Sequence, residues 1–384
     1  NFTLEDIKEG CEFAHSYGAK VHVTCNIVMH ESDLDGLVTY LKDLEACGVD
    51  AIIASSPTIL STVKKETKME AHVSTQQSVS NSKGVKFFED YGVDRVVLAR
   101  ECTLEEIVSI RKNLKATLGD DANKIEIEVF AHGAMCVSVS GRCFMSQFAF
   151  NESANRGACR QPCRREYLIK DIREGKEFLI GQDYVMSPKD LCSLPFLEKV
   201  LDAGVDSLKI EGRGRSAEYV SMVTSCYRRF IDFYMENRNT PDFENKVEAL
   251  RKELIEKADS VFNRGFSNGF FFGRQISEWS GGNGSKASHR KTHVGLVTNF
   301  FKKVTVAEIK VEARDFNVGD ELMFQGPTTG VKTLKVISIE EDGKSVETAR
   351  KGTVVGVKLS EIVRENDQVF MVVPVEEVKH LKQN

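Results

Sequence analysis

The chain has 384 residues, 41% apolar and 28% charged, with a net charge of −5 and a mean hydropathy of −0.27. That size suits one large domain and a smaller one; no apolar run reaches the ~18 residues of a membrane span and no signal-peptide pattern opens the sequence, so no membrane association is expected. The acidic balance argues against a broad basic face that coats nucleic acid, leaving only local patches for RNA, and ten cysteines diluted over this length point to a reducing, cytoplasmic setting rather than a disulfide scaffold.

In chain order, a helix-like segment (TLEDIKEGCEFAHSYG) leads into HSYGAKVHVTCN at 15–26, the first expected strand. EACGVDAIIASS (45–56), EDYGVDRVVLARE (89–101) and LDAGVDSLKIEG (201–212) repeat one layout: an amphipathic helix ends, Gly-Val-Asp follows, and a short apolar run begins. Glycine suits the left-handed position that closes a helix, and the apolar run reads as a buried parallel strand. EAHVSTQ (70–76) and KIEIEVFAHG (124–133) add two more strands, with helices such as 33–46 and 103–114 between. Six strand-and-helix units in series predict an α/β fold. Since a closed TIM-like (β/α)8 barrel needs eight units, the expectation is such a barrel lacking its first βα units in this chain, over residues 1–269. An open, doubly wound sheet is the alternative. Helices are expected at about 216–237 and 243–261 within that span, a Gly- and Ser-rich linker at 270–288, and a small C-terminal β-barrel module at 289–384.

The cysteines cluster where such a fold keeps its chemistry, at the C-terminal ends of strands. The strand IEIEVF runs out at His132-Gly133, and an insertion over 134–180 carries Cys136, Cys143, Cys159 and Cys163. It is far longer than an ordinary βα loop. SPKDLC (187–192) reads as a helix start, with Ser187 as N-cap and Cys192 in the opening turns. No C-x-x-C pair favours structural zinc, and the irregular spacing of 136, 143, 159 and 192 resembles iron–sulfur ligand sets outside the ferredoxins. Spacing alone leaves a metal site and scattered buried thiols both open. Cys11, Cys25, Cys47, Cys102 and Cys226 lie in helix or strand patterns and read as core. Hydrolase signatures (H-E-x-x-H, G-x-S-x-G, the phosphate-binding loop) are absent from the sequence, while a Cys136–His132 pair for thiol chemistry stays open.

EVFAHGAMCVSVSGRCFMS (128–146), NRGACRQPCR (155–164), SPKDLC and SLKIEGR (207–213) closely resemble the recurring segments of the peptidase U32 family, the collagenase-like proteases. The likeness runs over essentially the whole chain. Within that family it is closest to the proteins that hydroxylate the tRNA wobble uridine to 5-hydroxyuridine, with prephenate as co-substrate and a 4Fe–4S cluster that air removes or replaces with zinc. The resemblance implies Cys136, Cys143, Cys159 and Cys192 as cluster ligands, with Cys163 the nearest competitor. It also implies tRNA and a family partner subunit as partners. The alternative is a collagenase-like peptidase with structural or zinc-bound cysteines. Prephenate is a dicarboxylate, so arginine forks suit it: Arg100 and Arg213 at strand ends, and Arg142 inside the cysteine loop. Glu101, Glu128 and Glu211 are expected strand-end acids for proton handling, with His132 and Ser74, Thr75 and Gln76 lining the pocket. Set against this, strand-end Arg and Glu also pair to hold a barrel mouth. Lys302, Lys303 and the 289–291 cluster make the terminal module, similar to the second domain of translation elongation factors, a candidate tRNA handle.

Overall fold

The computed structural model describes residues 2–165, 167–180, 186–273, 278–281 and 284–377. In it each Gly-Val-Asp phrase does one mechanical job. Gly48, Gly92 and Gly204 take positive φ of 93°, 78° and 82° where their helices end. The aspartate that follows grips the neighbouring strand twice. Asp50 donates its N–H to Val21 O (2.9 Å) while its carboxylate accepts the Val21 N–H (2.7 Å). Asp94 does the same with Ala71, and Asp206 with Ile127. A recurring tripeptide thus sets strand register as well as helix termination.

The helices and strands alternate as expected. The order is α1 (Leu4–Ser16), β1 (His22–Cys25), α2 (Leu37–Ala46), β2 (Ala51–Ala54), α3 (Pro57–Glu66), β3 (Glu70–Val73), α4 (Ser82–Asp90), β4 (Arg95–Val97), α5 (Leu104–Leu118) and β5 (Glu126–Gly133). The cysteine insertion follows with α6 (Met145–Phe150) and a hairpin of β6 (Tyr167–Lys170) and β7 (Glu177–Ile180); then come β8 (Asp190–Cys192), α7 (Leu197–Asp202), β9 (Ser207–Ile210) and later β10 (Phe266–Ser267). Strands β1 to β5 pair in parallel in sequence order, and β9 pairs in parallel with β5. The six strands expected from the sequence are β1 to β5 and β9. The unit is therefore mixed α/β on a largely parallel sheet, its core made of buried Val, Ile and Leu from the strands and from the inner faces of α2, α3 and α5.

Two expectations change. SPKDLC is not a helix start: Asp190–Cys192 form β8, antiparallel to the end of β5, with His132 opposite Cys192. The Ser187 hydroxyl, read as an N-cap, instead takes hydrogen bonds from Arg164 and Ser280. The contacts also divide the chain differently from the expected boundaries. Residues 1–211 with 264–284 form one unit, and 212–263 with 285–384 form the second. The long helices α8 (Ala217–Asn237) and α9 (Phe243–Asp259) thus group with the C-terminal strands rather than with the parallel sheet.

In the second unit the strands are β11 (His289–Phe301), β12 (Val306–Val311), β13 (Phe316–Asn317), β14 (Glu321–Gly326), β15 (Gly330–Lys335), β16 (Ser338–Glu341), β17 (Lys344–Val346), β18 (Thr348–Ala349), β19 (Val354–Lys358) and β20 (Gln368–Pro374). All but β13 and β18 join one antiparallel sheet in the order β15-β14-β20-β11-β12-β19-β16-β17. Val294, Ile309, Phe316 and Phe324 are among its fully buried core residues. Among the described residues, no helix is long and apolar enough to cross a membrane.

Candidate active site

The C-terminal ends of β4, β5 and β9 deliver Arg100, the 133–136 turn and Glu211, and the cysteine loop folds over them. Glu101 holds that loop down. Its carboxylate accepts the backbone N–H of Ser140 at 2.8 Å and the Ser140 hydroxyl at 3.0 Å. Ser140 is fully buried, with φ of 47°. A left-handed backbone at a non-glycine residue persists only where its surroundings hold it. Glu101 is expected to move protons; the structure makes it the clamp between Cys136 and Cys143.

The thiols on this loop are set up as acceptors. Cys136 Sγ accepts the Ser138 N–H at 3.4 Å, and Cys143 Sγ accepts the Met145 N–H at 3.4 Å. The two sites share one local geometry, a sulfur hydrogen-bonded by the amide two residues on. Asn155 anchors Cys143 by accepting its N–H at 3.1 Å. Cys163 is half-buried, and burial pushes its thiol up, opposed by Arg164 and reinforced by the charges of Cys136, Cys159 and Cys143. Those three are therefore its electrostatic neighbours. Cys159 is exposed at the rim.

Cys192 stands apart in character. It is a 1%-exposed strand residue on β8, opposite His132, which is equally buried and meets Phe266 edge-on at 5.5 Å between centroids. Its partner in register is His132, so Cys136 is not the residue the sheet sets against that ring. Among the described residues, no three of His, Cys, Asp and Glu converge on a single ion. Cluster ligation differs, because each thiolate takes a separate iron and the ligands stand around the group. Of the cysteines expected in the core, Cys11, Cys102 and Cys226 are buried, and burial pushes Cys102 to about 12 and Cys226 to about 11.

Arg100 is the most unusual group here. Its guanidinium lies 3.9 Å over the Phe130 ring, its Nε is buried with no hydrogen-bond partner, and its closest carboxylate, Glu211, is 4.0 Å away. Burial lowers its pKa, and Glu211, Cys136 and Glu101 partly restore it. A buried guanidinium N–H without an acceptor is costly unless an anion completes it. Arg164, by contrast, is fully engaged, donating to Ser187 Oγ (2.5 Å), Pro188 O (2.7 Å) and Met135 O (2.6 Å). It pins the Cys163 end of the loop to the strand ends.

Glu128 requires a correction. It is the third residue of β5, not a strand-end acid, and is held by Lys209 (3.2 Å), Arg95 (3.1 Å) and the Ser207 hydroxyl (2.9 Å). Burial would raise its pKa, but Lys209, Ser207 and Arg95 bring it below the usual value. It is an ion-pair anchor deep in the sheet. Arg142 is exposed on the loop. Arg213 belongs to the second unit. Thr75 donates to Leu98 O at 3.0 Å, and Gln76 keeps a buried Oε1 without a hydrogen-bond partner.

What the sequence reading missed lies in the stretch taken as a linker. Of 270–288, residues 274–277 and 282–283 lie outside the described residues. Residues 278–280 are tied to 187–189: Lys189 N–H to Glu278 O (3.0 Å), Ser280 N–H to Ser187 O (2.8 Å), and a bridge from Trp279 to Pro188. Glu278 and Trp279 wall a cavity of about 130 Å³ that Cys136 also lines. The one available signal was the sole tryptophan beside a Phe-Phe-Phe run in otherwise Gly-rich sequence.

A family model described as Peptidase family U32 matches residues 1–281. The chain is 37% identical over 372 residues to a collagenase of Porphyromonas gingivalis, with 96% of this chain and 88% of that protein covered. It is 40% identical over 358 residues to tRNA hydroxylation protein P1 of Bacillus subtilis, with 91% and 80% covered. A third relative, the 23S rRNA 5-hydroxycytidine C2501 synthase of Escherichia coli, is 35% identical over 274 residues, covering 71% of this chain and 40% of that protein.

Proposed function

This chain belongs to peptidase family U32, and from that premise we propose that it is a cytoplasmic RNA-modifying enzyme, a cluster-dependent hydroxylase of the tRNA wobble uridine that uses prephenate as co-substrate. The names of the Bacillus and Escherichia relatives support an RNA substrate. The observation that carries the reading is the cysteine loop itself: Cys136, Cys143, Cys159 and Cys163 lie on one insertion after β5, two of these sulfurs accept amide hydrogen bonds, and Arg100, with a buried Nε that has no hydrogen-bond partner, lies under that loop. The parallel sheet is read as the wall of a TIM-like barrel, whose chemistry gathers at the C-terminal strand ends.

The donor set suits an iron–sulfur cluster, since two of its sulfurs already accept amide hydrogen bonds of the kind that tune cluster potentials. Cys136, Cys143, Cys159 and Cys163 would hold it. Cys163 takes the place expected for Cys192, which is buried in the β8–β5 pairing. When bound, a 4Fe–4S cluster supplies the one-electron chemistry that side chains lack and that oxygen-independent hydroxylation of a pyrimidine carbon requires. Arg100 receives a carboxylate of prephenate in the dry pocket over Phe130, with Glu211 keeping the guanidinium oriented. Glu101 and Arg164 hold the two ends of the loop closed over it. Arg142, exposed on the loop, meets the outer carboxylate or the RNA backbone.

Iron and acid-labile sulfide are measured on anaerobically purified wild type, Cys163→Ser and Cys192→Ser, with nucleoside analysis of tRNA from cells that express each. Near-equal iron and sulfide, lost in Cys163→Ser and retained in Cys192→Ser, is the expected result. Loss only in Cys192→Ser would return the fourth ligand to β8. A collagenase-like peptidase is the second reading, favoured by the similarity to the Porphyromonas collagenase over 96% of this chain. Gelatin cleavage that survives loss of Cys136 and Cys143, with no 5-hydroxyuridine in the tRNA, would decide for it.

A further inference from the structure

The cavity of about 130 Å³ beside Cys136 has two flat aromatic members, Trp279 and Phe270, completed by Met135 and Pro188, with Ser267 and Glu278 as its polar groups. Trp279 is rigidly presented. Its neighbours on either side are hydrogen-bonded to 187–189, and Glu278 pairs with Lys189 Nζ at 2.7 Å. The Ser280 hydroxyl meets Ser187 Oγ at 2.8 Å, and that same oxygen accepts from Arg164 at 2.5 Å. One hydrogen-bonded chain thus connects the tryptophan to the residue after Cys163. Ser267 Oγ accepts the Gly269 N–H at 3.3 Å, which leaves its proton to donate.

The charge decides which ligand fits. Among the described residues, the lining carboxylate is Glu278, already paired with Lys189, and no lining residue is a cation. A dicarboxylate would meet like charge there. Its complement, Arg100, lines a separate small cavity that shares Met135, Gly269 and Phe270 as the partition. A neutral, planar heterocycle with both a carbonyl and an N–H on its edge satisfies everything the larger cavity offers. Aromatic faces stack any base, and one donor and one acceptor read its edge.

We propose that this cavity is the base pocket, in which a pyrimidine swung out of an RNA strand lies against Trp279 with its polar edge toward Ser267 and Glu278. The proposal rests on the RNA-modification reading and names the place and mode of base recognition within it. The pocket adjoins Cys136, so a base held there lies next to the cysteine loop while the anion on Arg100 lies across the partition.

Trp279 is the sole tryptophan, so its emission reports this site alone. The full chain, purified anaerobically, is titrated with an anticodon stem-loop RNA carrying uridine at the wobble position, and with the same RNA made abasic there. Binding is followed in parallel by anisotropy of an end-labelled RNA. Saturable quenching by the uridine RNA and not by the abasic one is expected. Trp279→Ala should weaken binding about tenfold, as loss of one base–aromatic stack does, and Trp279→Phe should restore most of it, which separates stacking from misfolding. RNA that binds with unchanged emission, and binds Trp279→Ala equally well, overturns the pocket and leaves the RNA-modification reading standing. Quenching by prephenate instead of RNA assigns the cavity to the co-substrate and also overturns it. The parent reading is decided separately, by the presence or absence of 5-hydroxyuridine in tRNA.

Discussion

Removing the Glu101 carboxylate should open the cysteine loop without unfolding the sheet beneath it. Glu101→Ala deletes both acceptors of Ser140 at once, the 2.8 Å bond from the backbone N–H and the 3.0 Å bond from the hydroxyl. Ser140 is fully buried, so in a loop that stayed closed both groups would be stranded. A buried unsatisfied donor costs about 1–3 kcal/mol. Water can enter once the loop lifts, so the lower end of the range applies, and two donors give about 2–3 kcal/mol. At about 1.4 kcal/mol per factor of ten, the open population rises roughly thirty- to a hundredfold. Ser140→Ala, which keeps the amide bond and loses only the hydroxyl, should show about half that free energy. Hydrogen exchange of peptides spanning 136–143 reads the effect directly in protein without iron. Iron retained through a desalting step reads it in loaded protein. Unchanged protection over 136–143 in Glu101→Ala, together with wild-type iron retention, would refute the clamp and return Glu101 to the proton-handling role expected of it.

Stability should begin to fall as pH drops through 6.5 toward the depressed folded-state values of His22 and His72. His22 and His72 meet edge-on at 4.8 Å between centroids, and burial lowers both pKa values; Arg95 lowers them further, while Glu70 and Glu128 act on His22, and Glu70 on His72, in the opposite sense. Below the unfolded value of 6.5 the unfolded chain binds protons that the folded chain refuses, so stability is full above 6.5 and is lost as pH falls toward the depressed folded values. Thermal unfolding across that window should show the loss, and the double variant His22→Gln, His72→Gln should flatten it; an equal slope in the variant would assign the effect elsewhere. In the second unit, a Cβ at Gly295 would stand 2.0 Å from Lys310 O on β12. Gly295→Ala should therefore part β11 from β12 and cost about 3 kcal/mol, the upper end for overpacking. Wild-type exchange protection over 306–311 would contradict this.

The local grammar of the chain was readable from its residues. The Gly-Val-Asp phrases marked helix ends and strand starts, because left-handed φ and apolar runs are properties of single residues and near neighbours. The double grip of Asp50, Asp94 and Asp206 was not readable, since the amides they hold lie on neighbouring strands that only pairing brings alongside. The cysteine loop was likewise visible as an anomalous insertion after β5, and Arg100 and Glu211 were correctly taken as strand-end groups.

What the tertiary structure decided was convergence. Cys163 and Cys192 are both reasonable ligands by spacing; the antiparallel pairing of β8 with β5 buries Cys192 opposite His132, while Cys163 lies on the loop that carries Cys136, Cys143 and Cys159, and iron analysis of the two variants decides between them. Glu128 looked like a strand-end acid until the extent of β5 placed it third of eight residues, among Lys209 and Arg95. Residues 278–280 looked like linker because their own sequence is turn-rich, yet their hydrogen bonds to 187–189 make them the wall that carries Trp279. Periodicity and turn chemistry act over a few residues and are written locally. Register between strands sixty residues apart, as His132 and Cys192 are, depends on which surfaces bury one another, and no short stretch of the chain contains that information.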